Sequence, residues 1–192
     1  MKKLMYVLFM LVSISLLAAC HEGTGPASKS WSEEVLLHNG TTIWVERTAR
    51  YEVQIGELSG TGGGNIDNLF STIKVPDNPV APPPPEWVFE DAVPLLLDYD
   101  EAKQTWYVVA TFYSCGIWRR WERPMPPYRQ YEVNNGIWEV VPLNMALVGR
   151  EANLMTGVVR NKRSRVSIQD RIQHQRLSGE KYRMIVDQWD RC

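Results

Sequence analysis

Residues 34–45, EVLLHNGTTIWV, place two short apolar runs on either side of Asn39 and Gly40. Both runs contain the β-branched, aromatic and aliphatic residues that suit a pleated, half-buried surface. An Asn-Gly pair accepts the positive φ angles of a tight type I′ turn. The stretch therefore predicts a β-hairpin with Asn39 and Gly40 at its tip.

The same pattern recurs further along the chain. Residues 94–97 and 105–113 predict a second hairpin across an acidic turn, and residues 128–133 and 137–141 a third across Asn-Asn-Gly. Further strands are predicted at 51–55 and 69–75. The chain is therefore expected to be mainly β, either an antiparallel hairpin-rich sheet or a sandwich.

One short C-terminal helix is predicted over residues 168–177. Ser167 can cap its first turn, Ile168 and Ile172 fall on one face, and Gly179 follows its end.

The N-terminus has the composition of a secretory signal peptide. Two lysines follow Met1, residues 4–19 are mostly apolar, and small residues precede Cys20. This apolar run has 16 residues, whereas a membrane-spanning helix needs about 20. The sequence therefore favours a cleaved signal peptide over a permanent transmembrane anchor.

Leu17-Ala18-Ala19-Cys20 resembles the lipobox of bacterial lipoproteins and lies where that motif belongs. The resemblance implies cleavage before Cys20 and a diacylglycerol on its sulfur, which would hold the protein on a membrane. His21 stands where aspartate would signal inner-membrane retention, which in a Gram-negative host indicates the outer membrane. The resulting organisation is a signal peptide (1–19), a lipidated cysteine with its tether (20–30) and one β-rich globular domain (31–192).

Two cysteines remain once Cys20 is assigned to the lipid. Cys115 and Cys192 form an even pair in an oxidising compartment, so a disulfide between them is expected, with two free thiols as the alternative. Such a disulfide would close the loop of chain between residues 115 and 192 and would add about 4 kcal/mol to the free energy of unfolding in the chain-entropy description.

The sequence offers no recognisable catalytic or metal site. The three histidines lack metal-ligand spacing, and no Gly-x-Ser-x-Gly motif occurs. Asp98, Asp100 and Glu101 fall at a predicted hairpin turn, where acidic residues are common. We therefore expect a protein that is not an enzyme and has no cofactor. An envelope location also excludes nucleic acid as a partner.

Residues 113–121, YSCGIWRRW, are the strongest candidate for a binding surface. In a loop or helical turn Trp118 and Trp121 can converge, with Arg119 and Arg120, into a platform for a sugar ring or an anion. The alternative is that one indole packs in the core and only the arginines are exposed. Two functional hypotheses follow: a non-enzymatic lipoprotein that binds an envelope protein or supports an envelope structure, and a glycan- or peptidoglycan-binding module.

Overall fold

Two β-sheets form the protein. The computed structural model describes residues 27–54, 65–156, 164–189 and 192, and nine strands lie within these ranges. The strands are β1 (Ala27–Leu36), β2 (Thr42–Gln54), β3 (Asn65–Lys74), β4 (Trp87–Glu90), β5 (Ala92–Asp100), β6 (Thr105–Phe112), β7 (Tyr128–Asn134), β8 (Ile137–Val141) and β9 (Arg165–Val166). Sheet A has the order β4-β3-β2-β1-β9 and sheet B the order β5-β6-β7-β8. Neighbouring strands are antiparallel except for the short β1–β9 pair, which is parallel.

The inner faces of the two sheets pack against each other as a sandwich. On sheet A, Val35 and Val45 are fully buried, and the side chains that alternate with them along β1 and β2 point outward. They share one hydrophobic cluster with Leu97, Val108 and Tyr131 of sheet B. The structure thus confirms the mainly β, antiparallel fold and selects the sandwich over a single sheet.

The β5–β6 hairpin is buried on both of its faces. Residues 92–98 and 106–112 are all buried. One face meets sheet A, and the other meets a C-terminal layer that contributes Leu147, Ala152 and Ile185. This layer includes a 3₁₀ turn at Met145–Leu147. The molecule therefore has three layers, with sheet B in the middle.

The chain passes from sheet A to sheet B at a single residue. Asp91 separates β4 from β5 and has a φ of 61°, which turns the backbone between the sheets. Arg120 holds this corner with an ion pair to Asp91 (Nη2 to Oδ2, 2.6 Å). The Tyr113 hydroxyl also lies 3.3 Å from Asp91 Oδ1.

The predicted first hairpin is present, but its turn differs from type I′. Among the three turn residues His38, Asn39 and Gly40, only Gly40 has a positive φ (84°). The Gly40 amide donates to Leu37 O and the Leu37 amide to Thr41 O, so the connection is one residue longer than a two-residue turn. The third hairpin does have the type I′ pattern, with positive φ at Asn135 (51°) and Gly136 (78°).

The domain begins earlier than the sequence predicts. Strand β1 starts at Ala27, so residues 27–30, assigned to the tether, pair with the far end of β2. The predicted strand at 51–55 is likewise a continuation of β2 up to Gln54. Cys20, the signal segment and residues 21–26 of the tether lie outside the described residues.

Three helices lie in the described part of the chain: α1 (Cys115–Arg120), α2 (Ile168–Gln175) and α3 (Glu180–Arg183). Helix α2 is the predicted one, and its Ser167 cap is confirmed, with Asp170 completing a capping box. Its buried residues are Arg171 and Gln175, whereas Ile172, on the same face as Ile168, is exposed. No helix within these residues is long and apolar enough to cross a bilayer.

The disulfide prediction is confirmed. Cys115, at the start of α1, is bonded to Cys192, and their Cα atoms lie 5.4 Å apart. The bond fastens the end of the chain to the helix that follows β6.

A lysine is buried against the last residue of β6. Lys181 is 2% exposed, and its Nζ donates to the Phe112 carbonyl (3.0 Å) and lies 3.4 Å from the ring centroid of Trp189. Among the described residues, the ion pairs do not include Lys181. Burial lowers the pKa of Lys181 from 10.5 to about 7.

We expect this lysine to make stability depend on pH. Between pH 7 and 10.5 the unfolded Lys181 binds a proton that the folded one releases, so its contribution to the free energy of unfolding rises with pH. Lys181→Met removes that contribution. The free energy of unfolding of Lys181→Met minus that of the wild type should therefore fall across this range, by up to about 1.4 kcal/mol per pH unit. Urea unfolding at a series of pH values measures this, and a constant difference would contradict it.

Candidate functional site

A polar pocket lies where the first hairpin, the second hairpin and the C-terminal layer meet. Its volume is about 210 Å³, and it is lined by His38, Asp100, Lys103, Tyr107, Gln130, Asn144, Leu147 and Arg150. The turn after β1, the β5–β6 hairpin, β7 and the segment after β8 each contribute to the lining. A side-chain bond from Asn39 Nδ2 to Glu101 Oε1 (3.0 Å) joins the two hairpin turns beside it.

A buried carboxylate anchors the side chains of this pocket. Asp98 is fully buried and accepts hydrogen bonds from the backbone amides of His38 (3.1 Å) and Tyr99 (2.8 Å). His38 Nδ1 lies 2.9 Å from Asp98 Oδ1, and Arg150 forms an ion pair with the other carboxylate oxygen. A carboxylate removed from water needs such partners to remain charged.

Arg150 also orders the neighbouring phenol. Its second terminal nitrogen donates to the Tyr107 hydroxyl (2.7 Å), and Tyr107 itself is only 7% exposed. Burial, followed by the charge of Asp98, raises the pKa of Tyr107 to about 12. Tyr107 therefore remains a neutral hydrogen-bonding group at physiological pH.

The opposite side of the pocket holds a second paired charge. Lys103 Nζ lies 2.9 Å from Glu132 Oε1, which also accepts from Gln130 Nε2 (2.7 Å). Gln130 in turn accepts the backbone amide of Asn144 (2.9 Å). Of the described residues that line the pocket, none is Ser, Thr or Cys. The arrangement of paired charges and amide groups can therefore bind a small polar molecule.

The sequence did not identify this network. Asp98 was assigned to a turn, whereas it lies within strand β5 and points into a polar cluster. The available signal was an acidic residue directly after the apolar run 93–97, which is unusual for a strand buried on both faces. Nothing in the sequence linked Asp98 to His38 or Arg150.

The predicted platform at residues 118–121 is not formed by two exposed indoles. Trp121 is 9% exposed, and Trp118 is half-buried, with its Nε1 donating to Pro124 O (3.2 Å). Both rings pack around Phe112, at centroid distances of 6.2 Å and 6.4 Å. Helix α1 turns both indoles toward the core, because the cluster around Phe112 needs apolar cover after β6 ends.

The two arginines between these tryptophans remain at the surface. Arg120 is engaged with Asp91 at the corner between the sheets, and Arg119 is exposed. The structure therefore matches the alternative in which one indole packs in the core and the arginines face solvent, and the second indole is half-buried as well.

A second candidate is the outer edge of sheet B. Strand β8 pairs with β7 on one side, and no described strand pairs with its other side. Ile137 is 58% exposed and Val140 is 56% exposed, and nearby Met145 is 57% exposed. Edge strands with unpaired backbone groups and apolar side chains are sites where another chain can pair. We call β8 and its unpaired side the open edge.

A proline segment lies beside this edge. The indole N–H of Trp106 donates to Pro82 O (2.9 Å), and that of Trp138 donates to Pro85 O (2.8 Å). The two carbonyls are three residues apart, which is one turn of a polyproline II helix. The segment is thus fastened across β6 and β8 and is not a free spacer.

Comparison of the chain with protein-family models, with curated proteins and with solved structures finds no match.

We expect Arg150 to be the residue on which the pocket depends most. Arg150→Met leaves the buried Asp98 carboxylate without its counter-ion and should lower the free energy of unfolding by about 2–3 kcal/mol, since Arg150 is partly exposed. Arg119→Met is the matched control and should change it by less than about 0.5 kcal/mol. Urea unfolding of both variants tests this, and equal losses would show that the ion pair is not what matters.

Proposed function

We propose that this protein is a lipid-anchored lipoprotein of the bacterial cell envelope whose β domain is a non-enzymatic module that binds another envelope protein. The membrane attachment is supported by the sequence alone, through Leu17-Ala18-Ala19-Cys20. Its cellular location, in a Gram-negative host, is the outer membrane.

One observation carries the interaction role of the domain: the open edge of sheet B with its exposed apolar side chains. Ile137 and Val140 are each more than half exposed on a strand whose second side has no partner among the described residues. Natural sheets usually protect such edges with a charge or a proline, or by covering them. Here Pro142 follows β8 directly but leaves the centre of the strand open.

The disulfide supports an extracytoplasmic location. Cys115 and Cys192 are bonded, and structural disulfides persist mainly in oxidising compartments. The glycan-binding alternative predicts that Trp118 and Trp121 are both exposed on one surface. Trp121 is buried and Trp118 is half-buried, which favours the interaction role over that alternative.

The lipid anchor is tested at Cys20. We expect the wild-type chain to incorporate radioactive palmitate in its bacterial host and to sediment with membranes, and Cys20→Ser to lose both properties, because the thioether carries the acyl chains. Cys115→Ser/Cys192→Ser is the control and should keep the label. Retention of the label by Cys20→Ser would disprove the lipoprotein assignment.

The interaction role is tested by photo-crosslinking in intact cells. A photoreactive amino acid at position 140 should crosslink to another envelope protein, because the open edge is where a partner pairs. The same amino acid at position 77, in the exposed loop between β3 and β4, is the control and should give no such product. Equal products from both positions, or none from position 140, would refute the role of the open edge.

A further inference from the structure

The backbone pairing of β8 determines which of its groups are available to a partner. A two-residue turn joins β7 to β8, so the closing pair Asn134–Ile137 exchanges hydrogen bonds. Pairing then alternates along an antiparallel ladder, and Glu139 and Val141 are the next residues bonded to β7. The N–H and C=O groups of Trp138 and Val140 therefore point away from β7, and no backbone bond within the described residues satisfies them.

The inner face of the sandwich continues onto this open edge. Trp138 pairs with Val133 and Val140 pairs with Tyr131, so all four side chains lie on the same face of sheet B. Tyr131 is 2% exposed in the core, whereas Val140 on the next strand is 56% exposed. One added strand with apolar side chains opposite Trp138 and Val140 would extend the core over this uncovered position.

The outer face of the edge is acidic. Glu139 is exposed and lies directly opposite Glu132 of β7. Glu132 is already engaged by Lys103 and Gln130, whereas Glu139 accepts only the Asn134 amide (2.9 Å) among the described residues. A strand added to β8 would place one side chain directly against Glu139, at about 5 Å between Cβ atoms. A cation at that position is favoured, and a third carboxylate is disfavoured.

Charge then discriminates against a second copy of this chain. Two copies of β8 could pair in antiparallel fashion through the free N–H and C=O groups of Trp138 and Val140. Using all four groups pairs Trp138 of one copy with Val140 of the other, so the two-fold axis lies between the two Glu139 residues. That register places Glu139 against Glu139 in a row that already contains Glu132. Like charges directly opposite each other destabilise a strand pair, so the edge resists the homodimer that its free backbone would otherwise form.

We infer that the open edge accepts an extended segment of a different protein, which carries apolar residues opposite Trp138 and Val140 and a lysine or arginine opposite Glu139. This inference rests on the proposed interaction role and names the chemistry of its partner. The main-chain groups supply binding, and the single acidic side chain selects the partner.

Two labelled peptides test this with the purified full chain in detergent micelles. One is Thr-Thr-Val-Lys-Val-Thr-Thr, and the other has glutamate in place of lysine. We expect fluorescence polarisation to show about fivefold tighter binding of the lysine peptide. Glu139→Lys should reverse this preference, Glu139→Gln should remove it, and Val140→Pro should weaken both peptides by deleting one free N–H. Asp77→Lys, a charge reversal in an exposed loop, should leave the preference unchanged.

The outcomes against the inference are equally specific. Equal affinity for the two peptides, or no binding of either, would overturn it. It would also be overturned if the wild type sedimented as a dimer and Val140→Pro as a monomer. Circular dichroism and thermal unfolding show whether each variant is folded. If position 140 crosslinks to a protein in cells but the two peptides bind equally well, this inference alone is refuted. If the lysine peptide binds more tightly but position 140 gives no crosslink in cells, the proposed function is refuted.

Discussion

Burial of the β5–β6 hairpin on both faces is the constraint on which the rest of the structure depends. Sheet A covers one face and the C-terminal layer covers the other, so the polar groups of this hairpin must find partners within the protein. Asn153 satisfies several of the backbone groups of β5. Its side chain bonds the N–H and C=O of Leu97, and its amide and that of Leu154 donate to Leu95 O. The edge of sheet B at β5 is therefore closed, in contrast to the open edge at β8.

Charged side chains hold the three layers together at positions that water does not reach. Arg47 and Glu33 are 3% and 0% exposed on the inner face of sheet A, and Glu33 also accepts the Met155 amide (2.8 Å). Arg171 donates to Ala152 O from helix α2. Such buried charges are weak evidence for net stability, but losing one partner of a pair costs about 3–5 kcal/mol. They therefore fix which segments can lie together, in the same way as Asp98 and Arg150 do.

Local signals in the sequence predicted the elements of this fold well. Asn135 and Gly136 take the φ angles that a type I′ turn requires, and Ser167 caps its helix, because both depend on neighbours within four residues. The same reasoning failed where tertiary contacts decide. The sequence places Ile168 and Ile172 on one face of helix α2, yet Arg171 and Gln175 are its buried residues, because carbonyl groups of residues 152 and 154 need donors there. For the indoles of residues 118 and 121 the sequence left a surface platform and core packing both open, and only the tertiary structure shows that they pack beside Phe112.

The sequence by itself determined the alternation of the strands, the places of the hairpin turns and the helix cap. It also predicted the disulfide between Cys115 and Cys192, once Cys20 is assigned to the lipid. Only the tertiary structure decided that Asp98 meets His38 and Arg150 and that Lys181 is buried among aromatic rings. It also decided that no other described strand pairs with the second side of β8. The physical reason is that local conformation follows from the covalent chain and its near neighbours. Desolvation, in contrast, depends on every segment that packs over a residue, including those more than 50 positions away.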